Sequence, residues 1–198
     1  MTGLEDACAP HGLFVMGAAG QIVLIGAGPG MWPVFTASAE FNDGAADPLD
    51  RWSKRVIGGL AATCGAEAVF PSDGPPYRPF IAWAKETGRF WSSPTGMLIH
   101  DVAGLMISIR GALIVPGGAA PAASGASPCD GCDALCVTAC PVGALSADAP
   151  YDVPACKAHL AASTDCMAGG CLVRRACPVS EQFARDPAQS AFHMRAFL

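Results

Sequence analysis

Along this chain the apolar positions change their period, and the change marks out the elements. From Gly12 to Ala39 no residue is formally charged, yet the stretch holds six glycines and two prolines. These break it into an apolar run Leu13 to Gly17, a turn at Ala18-Ala19-Gly20-Gln21, and a second run Ile22 to Ile25. A membrane-spanning helix needs about 20 predominantly apolar residues in one uninterrupted element, so two short buried strands are predicted instead. Beyond them Leu49, Trp52, Val56 and Leu60 recur at helical spacing and line one face. Asp47-Pro48 predicts the start of that helix, as an N-cap followed by proline at the first helical position, and Gly65 its end. Glu67 to Phe70 is predicted as a strand, and Phe80, Trp83 and Ala84 mark a second helix closing at Gly88. Met97 to His100 and Leu105 to Val115 are expected to pair as a hairpin across Asp101-Val102-Ala103-Gly104. The pattern is that of an α/β or α+β domain.

After Val115 the periodicity stops. Pro116-Gly117-Gly118 through Pro128 is rich in Ala, Gly, Ser and Pro and carries no charge, which predicts a linker and a domain boundary near residue 120. The 198 residues then divide into an α/β domain over 1–120 and a cysteine-rich domain over 121–198. The second part is poor in large apolar groups and needs another source of stability. The net charge of −5 and the absence of any basic run argue against autonomous nucleic-acid binding.

That other source is visible in the cysteines. Cys129, Cys132, Cys136 and Cys140-Pro141 form a tight run, and Cys156, Cys166, Cys171 and Cys177-Pro178 form a looser one. Eight of the ten cysteines lie in this stretch. Paired runs that each end in Cys-Pro are the arrangement of two-cluster ferredoxins, in which the last cysteine of each run ligates the cluster of the other. Two 4Fe-4S clusters are therefore expected, one on Cys129, Cys132, Cys136 and Cys177, the other on Cys140, Cys156, Cys166 and Cys171. The spacing departs from the common C-x2-C-x2-C-x3-C-P form, because Asp133-Ala134-Leu135 adds a residue to the second gap and the second run is stretched; each loop must be wider. Zinc is the rival, but its signature is two separate C-x2-4-C pairs. Disulfides rank lower, since Met1 to Asp6 lacks the basic start of a secretory signal. Cys8 and Cys64 lie outside both runs and read as small hydrophobes.

From about Asp73 to Val179 the strands, linker and double Cys-Pro module resemble the iron–sulfur part of the epoxyqueuosine reductases and, more distantly, of the reductive dehalogenases. The resemblance implies a nitroreductase-like α/β sandwich, here shortened, holding cobalamin against a bacterial two-cluster ferredoxin-like module. It also implies a proton-donating acid in a strand-end loop, to which Asp73 in Ser72-Asp73-Gly74-Pro75 is the nearest match, although the match needs a one-residue gap and a turn-forming role competes with it. The run to Leu198 leaves no counterpart of the family's tRNA-engaging C-terminal extension, so the expectation is a truncated relative rather than a full epoxyqueuosine reductase.

Other candidates carry less. Gly26, Gly28 and Gly30 follow an apolar strand as a dinucleotide or flavin loop would, but Met31 stands where a third glycine should be and Pro29 lacks an N–H, which favours a plain strand-to-helix turn. His11, His100, His159 and His193 are scattered, with His159 close enough in sequence to Cys156 to hydrogen-bond a cluster sulfur. Arg174-Arg175 is the basic doublet beside Cys171 and Cys177. Trp32, Trp52, Trp83 and Trp91 read as core. The expected function is electron transfer by a cytoplasmic iron–sulfur protein, with a redox partner protein or a small-molecule acceptor and no membrane span. Two alternatives stand beside it. One is a small oxidoreductase using cobalamin or a flavin; the other is a structural or regulatory protein with clusters as folding staples.

Overall fold

The first half folds chiefly by apolar packing. In the computed structural model, which describes residues 2–118, 122–162 and 165–198, the chain starts with α1 (Thr2–Cys8) and a 3-10 turn over Ala9–His11. There follow β1 (Leu13–Ala19), β2 (Ile22–Ala27), α2 (Met31–Thr36), α3 (Ala39–Asn42), α4 (Pro48–Cys64), β3 (Glu67–Val69) and α5 (Phe80–Glu86). Next come β4 (Phe90–Ser92), β5 (Leu98–His100) and β6 (Ile109–Ile114). The remainder is helical: α6 (Val153–Ala162), α7 (Asp165–Gly169), α8 (Leu172–Arg175), α9 (Pro178–Phe183) and α10 (Pro187–Phe197). Among the described residues no helix is long and apolar enough to cross a membrane.

Two compact units result, one of Met1–Phe90 with Ser108–Gly125 and the other of Trp91–Ile107 with Ala126–Leu198. The first is built on a four-stranded sheet of order β1-β2-β6-β3 in which every pairing is antiparallel. This makes it α+β, with small antiparallel sheets. The two expected strands are β1 and β2, paired as an antiparallel hairpin; Ala18 and Ala19, expected in the turn, belong to β1, and the reversal is at Gly20-Gln21, with Gly20 in the left-handed region at φ 55°. The helix marked by Leu49, Trp52, Val56 and Leu60 is α4; all four are buried, together with Ile57. Burying such side chains contributes roughly 1.5–3 kcal/mol each. Gly111 on β6 leaves the space they need, since a Cβ there would stand 3.1 Å from Ile57 and from Phe70. Trp52 meets Phe35 at 5.8 Å between ring centroids, and Phe35 meets Phe41 at 5.2 Å. Gly65 ends the helix in the left-handed conformation at φ 63°, its N–H reaching back to Ala61 and Ala62 carbonyls.

Two expectations are corrected. Asp47 precedes α4 but is itself left-handed at φ 51° and its side chain makes no cap hydrogen bond. Its backbone carbonyl instead accepts from the Arg51 N–H at 3.0 Å, while Arg51 pairs with Asp43 at 2.7 Å. The hairpin expected between residues 97–100 and 105–115 is not formed. Only the bridge His100–Gly104 joins those ends; β5 pairs with β4, and β6 joins β2 and β3. The buried His100 ring closes the turn, its Nδ1 accepting the N–H groups of Val102 and Ala103 at 3.1 and 3.0 Å. The boundary expected near residue 120 lies outside the described residues, and the chain passes between units after Phe90, after Ile107 and after Gly125. Part of the expected linker is docked on the first unit, for the Ala123 N–H donates to the Thr87 carbonyl at 2.9 Å.

The second unit has little regular structure around its core. Ile99, Leu105, Cys136, Leu145, Val173 and Cys177 form one buried cluster, so residues 91–107 supply the apolar wall against which two cysteines pack. That segment is fastened by side chains of α8, of α9 and of the turn between α9 and α10. Leu105 N–H donates to Ser180 Oγ at 2.8 Å, Arg174 donates to the Leu105 carbonyl, and Arg185 to the Met106 carbonyl. Gly104 permits the approach, because a Cβ there would sit 2.4 Å from the Ser180 nitrogen.

Candidate metal centre

The first cysteine run wraps a loop rather than an element. Gly131 is left-handed at φ 76° and Ala134 at φ 51°, and Ala134 leads into a 3-10 turn over Leu135–Val137 that carries Cys136 inward. The residue inserted between Cys132 and Cys136 is thus absorbed by one left-handed alanine, a conformation that disfavours a Cβ and persists only where the surroundings impose it. Ser127 Oγ accepts the Cys129 N–H at 3.2 Å. On the far side of the core Cys177 opens α9, with Pro178 at its first position. The Cys-Pro pair therefore starts a helix whose preceding residue is extended, as proline requires.

These loops border an open cavity of about 340 Å³ lined by Cys129, Cys132, Cys136 and Cys177, with Cys132 exposed. Ile99 and Leu105 form part of its apolar wall. The four cysteines that ferredoxin-like crossing groups together, one from the second run among them, thus face one space. Burial pushes the Cys129 and Cys136 thiols up, and repulsion among the thiols of Cys129, Cys132, Cys136 and Cys177 pushes in the same direction. A pocket of this kind disfavours thiolates until a cation arrives, and metal uptake there releases protons. Among the described residues no three His, Cys, Asp or Glu side chains converge as they would around a single metal ion.

The second set is assembled more loosely. Cys171 precedes α8, and burial raises its thiol while Arg174 opposes the rise and Cys166 adds to it. Cys156 lies on α6 and Cys166 on α7; nearby, burial pushes the pKa of the Tyr151 hydroxyl up, with Cys156 and Cys171 adding to the rise and Arg174 opposing it. Cys140 packs against the apolar cluster formed by Ile99, Leu105 and their neighbours.

The remaining candidates are placed elsewhere. Asp73 is bound by Lys54 at 2.9 Å and accepts the Phe70 N–H at 2.8 Å; burial raises its pKa, but Lys54 and the Phe70 N–H outweigh it and the net direction is down. A carboxyl held ionised in this way closes a turn. In the glycine turn, Gly28 N–H donates to the Gly12 carbonyl at 2.8 Å and Met31 N–H to the Gly28 carbonyl at 3.1 Å. A Cβ on Gly26 would meet Met16 Sδ at 2.1 Å, one on Gly28 would meet the Gly12 oxygen at 2.8 Å, and Gly30 lies against Gly12. The glycines thereby serve close backbone packing, and the N–H groups of Gly28 and Met31, which a phosphate would use, already have acceptors. Cys8 is buried on α1, and burial, then the neighbouring Cys64 and Glu5, lift its thiol to about 11. No family model, curated protein or solved structure matches the chain.

Proposed function

We propose that the chain is an iron–sulfur electron-transfer protein carrying two 4Fe-4S clusters, the first on Cys129, Cys132, Cys136 and Cys177 and the second on Cys140, Cys156, Cys166 and Cys171. The observation that carries this reading is the single cavity lined by all four cysteines of the first set. When bound, such a cluster supplies one-electron reduction and oxidation with little movement of the protein. The residues themselves exclude water with Ile99 and Leu105, fix the ligand spacing through the Gly131 and Ala134 turns, and position Cys177 by the start of α9. A ferredoxin-like second unit, a shortened nitroreductase-like first unit related to the epoxyqueuosine reductases, a reducing cytoplasmic setting and a redox partner protein or small-molecule acceptor belong to the same proposal. The cobalamin- or flavin-dependent alternative has less behind it, because the Gly26 to Gly30 turn donates N–H groups internally and Asp73 is held by Lys54. The purely structural alternative separates from electron transfer on whether the clusters can be reduced and reoxidised with the fold intact.

The test is anaerobic reconstitution followed by iron and sulfide analysis. About eight irons and eight acid-labile sulfides per chain are expected, unchanged when Cys8 or Cys64 is replaced by serine. Zinc without labile sulfide would end the reading. The wiring is tested by substitution: Cys177→Ala should leave the same surviving cluster spectrum as Cys132→Ala, although the two residues lie in different runs, and Cys140→Ala the same as Cys166→Ala. A Cys177→Ala spectrum matching that of Cys166→Ala would instead mean that each run binds its own cluster.

A further inference from the structure

Gln189 is a polar side chain shut away from water with nothing to bind. It lies in the first turn of α10, only 1% exposed, and neither its Oε1 nor its Nε2 has a hydrogen-bond partner among the described residues. A carboxamide has two N–H donors and an acceptor to satisfy, and leaving them bare in the interior is costly. Such a group calls for a partner that the polypeptide itself does not supply.

The packing of α10 points to one. It lies against α7, the helix that carries Cys166. Next to Gln189, Ser190 closes on Gly170, where a Cβ would stand 2.5 Å from the Ser190 Cβ. Gly170 precedes Cys171, and its N–H donates to the Cys166 carbonyl at 3.0 Å. The far end of α10 is fastened to α6, the helix of Cys156: Lys157 Nζ donates to the Leu198 carbonyl at 2.9 Å and stands 5.3 Å from the Phe197 ring centroid. The helix is thus tied to the segments that carry Cys156, Cys166 and Cys171, and its buried positions are Gln189, Ser190 and Ala191. A second orphan belongs to the same region. His159, one turn after Cys156 and on the same face of α6, has a buried Nε2 that is also without a partner.

Resting on the proposed function, we infer that Gln189 is a cluster-binding residue: its Nε2–H donates to a sulfur of the cluster held by Cys140, Cys156, Cys166 and Cys171, with His159 Nε2 as a second donor from α6. Reduction adds one electron, and one negative charge, to the cluster. An N–H given to its sulfur stabilises that charge and raises the potential.

The experiment is electron paramagnetic resonance on the full chain, reduced with dithionite after iron analysis has shown about eight irons per chain. Glutamine labelled with 15N at its side-chain amide enters at Gln21, Gln182 and Gln189. Hyperfine spectra of the reduced chain should show a 15N coupling that disappears in Gln189→Met, which keeps the length of the side chain. In a mediated titration Gln189→Met should lower one midpoint by about tenfold in the reduction equilibrium, about 59 mV for one electron, and His159→Leu should lower the same one. That midpoint should be missing in Cys166→Ala and present in Cys177→Ala. If Gln189→Met fails to load, the labelled chain carrying Gln21→Met and Gln182→Met decides, because its only label is then at position 189. Eight irons with no 15N coupling and unmoved midpoints would mean that Gln189 holds a buried water only. That result, or a shift confined to the cluster lost in Cys177→Ala, would overturn the inference and leave the electron-transfer reading standing. Zinc without sulfide would end both.

Discussion

The two units solve the problem of a small core in different ways. The first packs a long amphipathic helix and a cluster of four aromatic rings, Trp32, Phe35, Phe41 and Trp52, on an antiparallel sheet. Its strongest contributors are large side chains removed wholly from water, with Trp52, Phe35 and Ile57 almost fully buried. The second has short helices, long loops and, at its cysteine side, a buried cluster of six residues of which two are cysteines. A thiol buries little apolar area, so a core made partly of thiols is weak until those sulfurs are tied together. On the proposed iron–sulfur reading, the difference separates stability that is present as soon as the chain collapses from stability that waits for the clusters.

The largest expected effect comes from removing that ligand. Stripping iron from the loaded chain with a chelator under reducing conditions should cost the second unit on the order of several kcal/mol of local stability and leave the first folded. Hydrogen exchange would show it as lost protection across α8 and α9 with β1, β2 and β6 still protected. Equal loss in both units would break the contrast. Next in size is Trp52→Ala, which opens a cavity in the first unit and should cost about 3–5 kcal/mol there. The unfolding midpoint of the first unit should drop, with iron content per folded chain unchanged; iron lost in proportion to stability would mean that the second unit depends on the first.

A smaller, pH-dependent effect sharpens the description of the first unit. Glu40 is buried and its carboxyl is brought from 4.5 down to about 2, first by hydrogen bonds from Arg55, one of them 3.0 Å long. Because the folded value lies below the unfolded one, the pair stabilises the fold fully above about pH 4.5 and the contribution is lost as pH falls towards 2. Glu40→Gln should therefore lower the thermal midpoint at neutral pH and flatten its decline over that acid window, in thermal melts followed by circular dichroism. Parallel acid profiles for the two proteins would show that the Arg55 pair contributes nothing.

Which of these features were legible beforehand depends on how local they are. The strands β1 and β2 and the helix α4 could be read from residues within a few positions of each other: apolar runs broken by Gly20, and a helical face closed by Gly65. The grouping of Cys177 with Cys129, Cys132 and Cys136 was readable because paired runs ending in Cys-Pro carry a known geometric rule. The pairing of residues 97–100 with 105–115 was misread because alternation reports that a segment is a strand but not which edge it joins. Asp47 was misread for a related reason, since a good capping residue is no guide to its own backbone conformation once Arg51 and Asp43 set the turn.

What the sequence determined by itself is therefore the inventory and its local order: two short buried strands, one long amphipathic helix, and eight cysteines in two runs with a proline after each last one. Tertiary structure alone decided that residues 91–107 leave the first unit to wall the cysteine cavity with Ile99 and Leu105. It alone decided that Tyr151 stacks on Phe197 near the end of α10. The physical reason is range. Periodicity and turn chemistry act over a few residues, whereas a wall for a cavity or a donor for a sulfur is selected by shape and by unsatisfied hydrogen bonds between segments dozens of residues apart, and those exist only once the chain has folded.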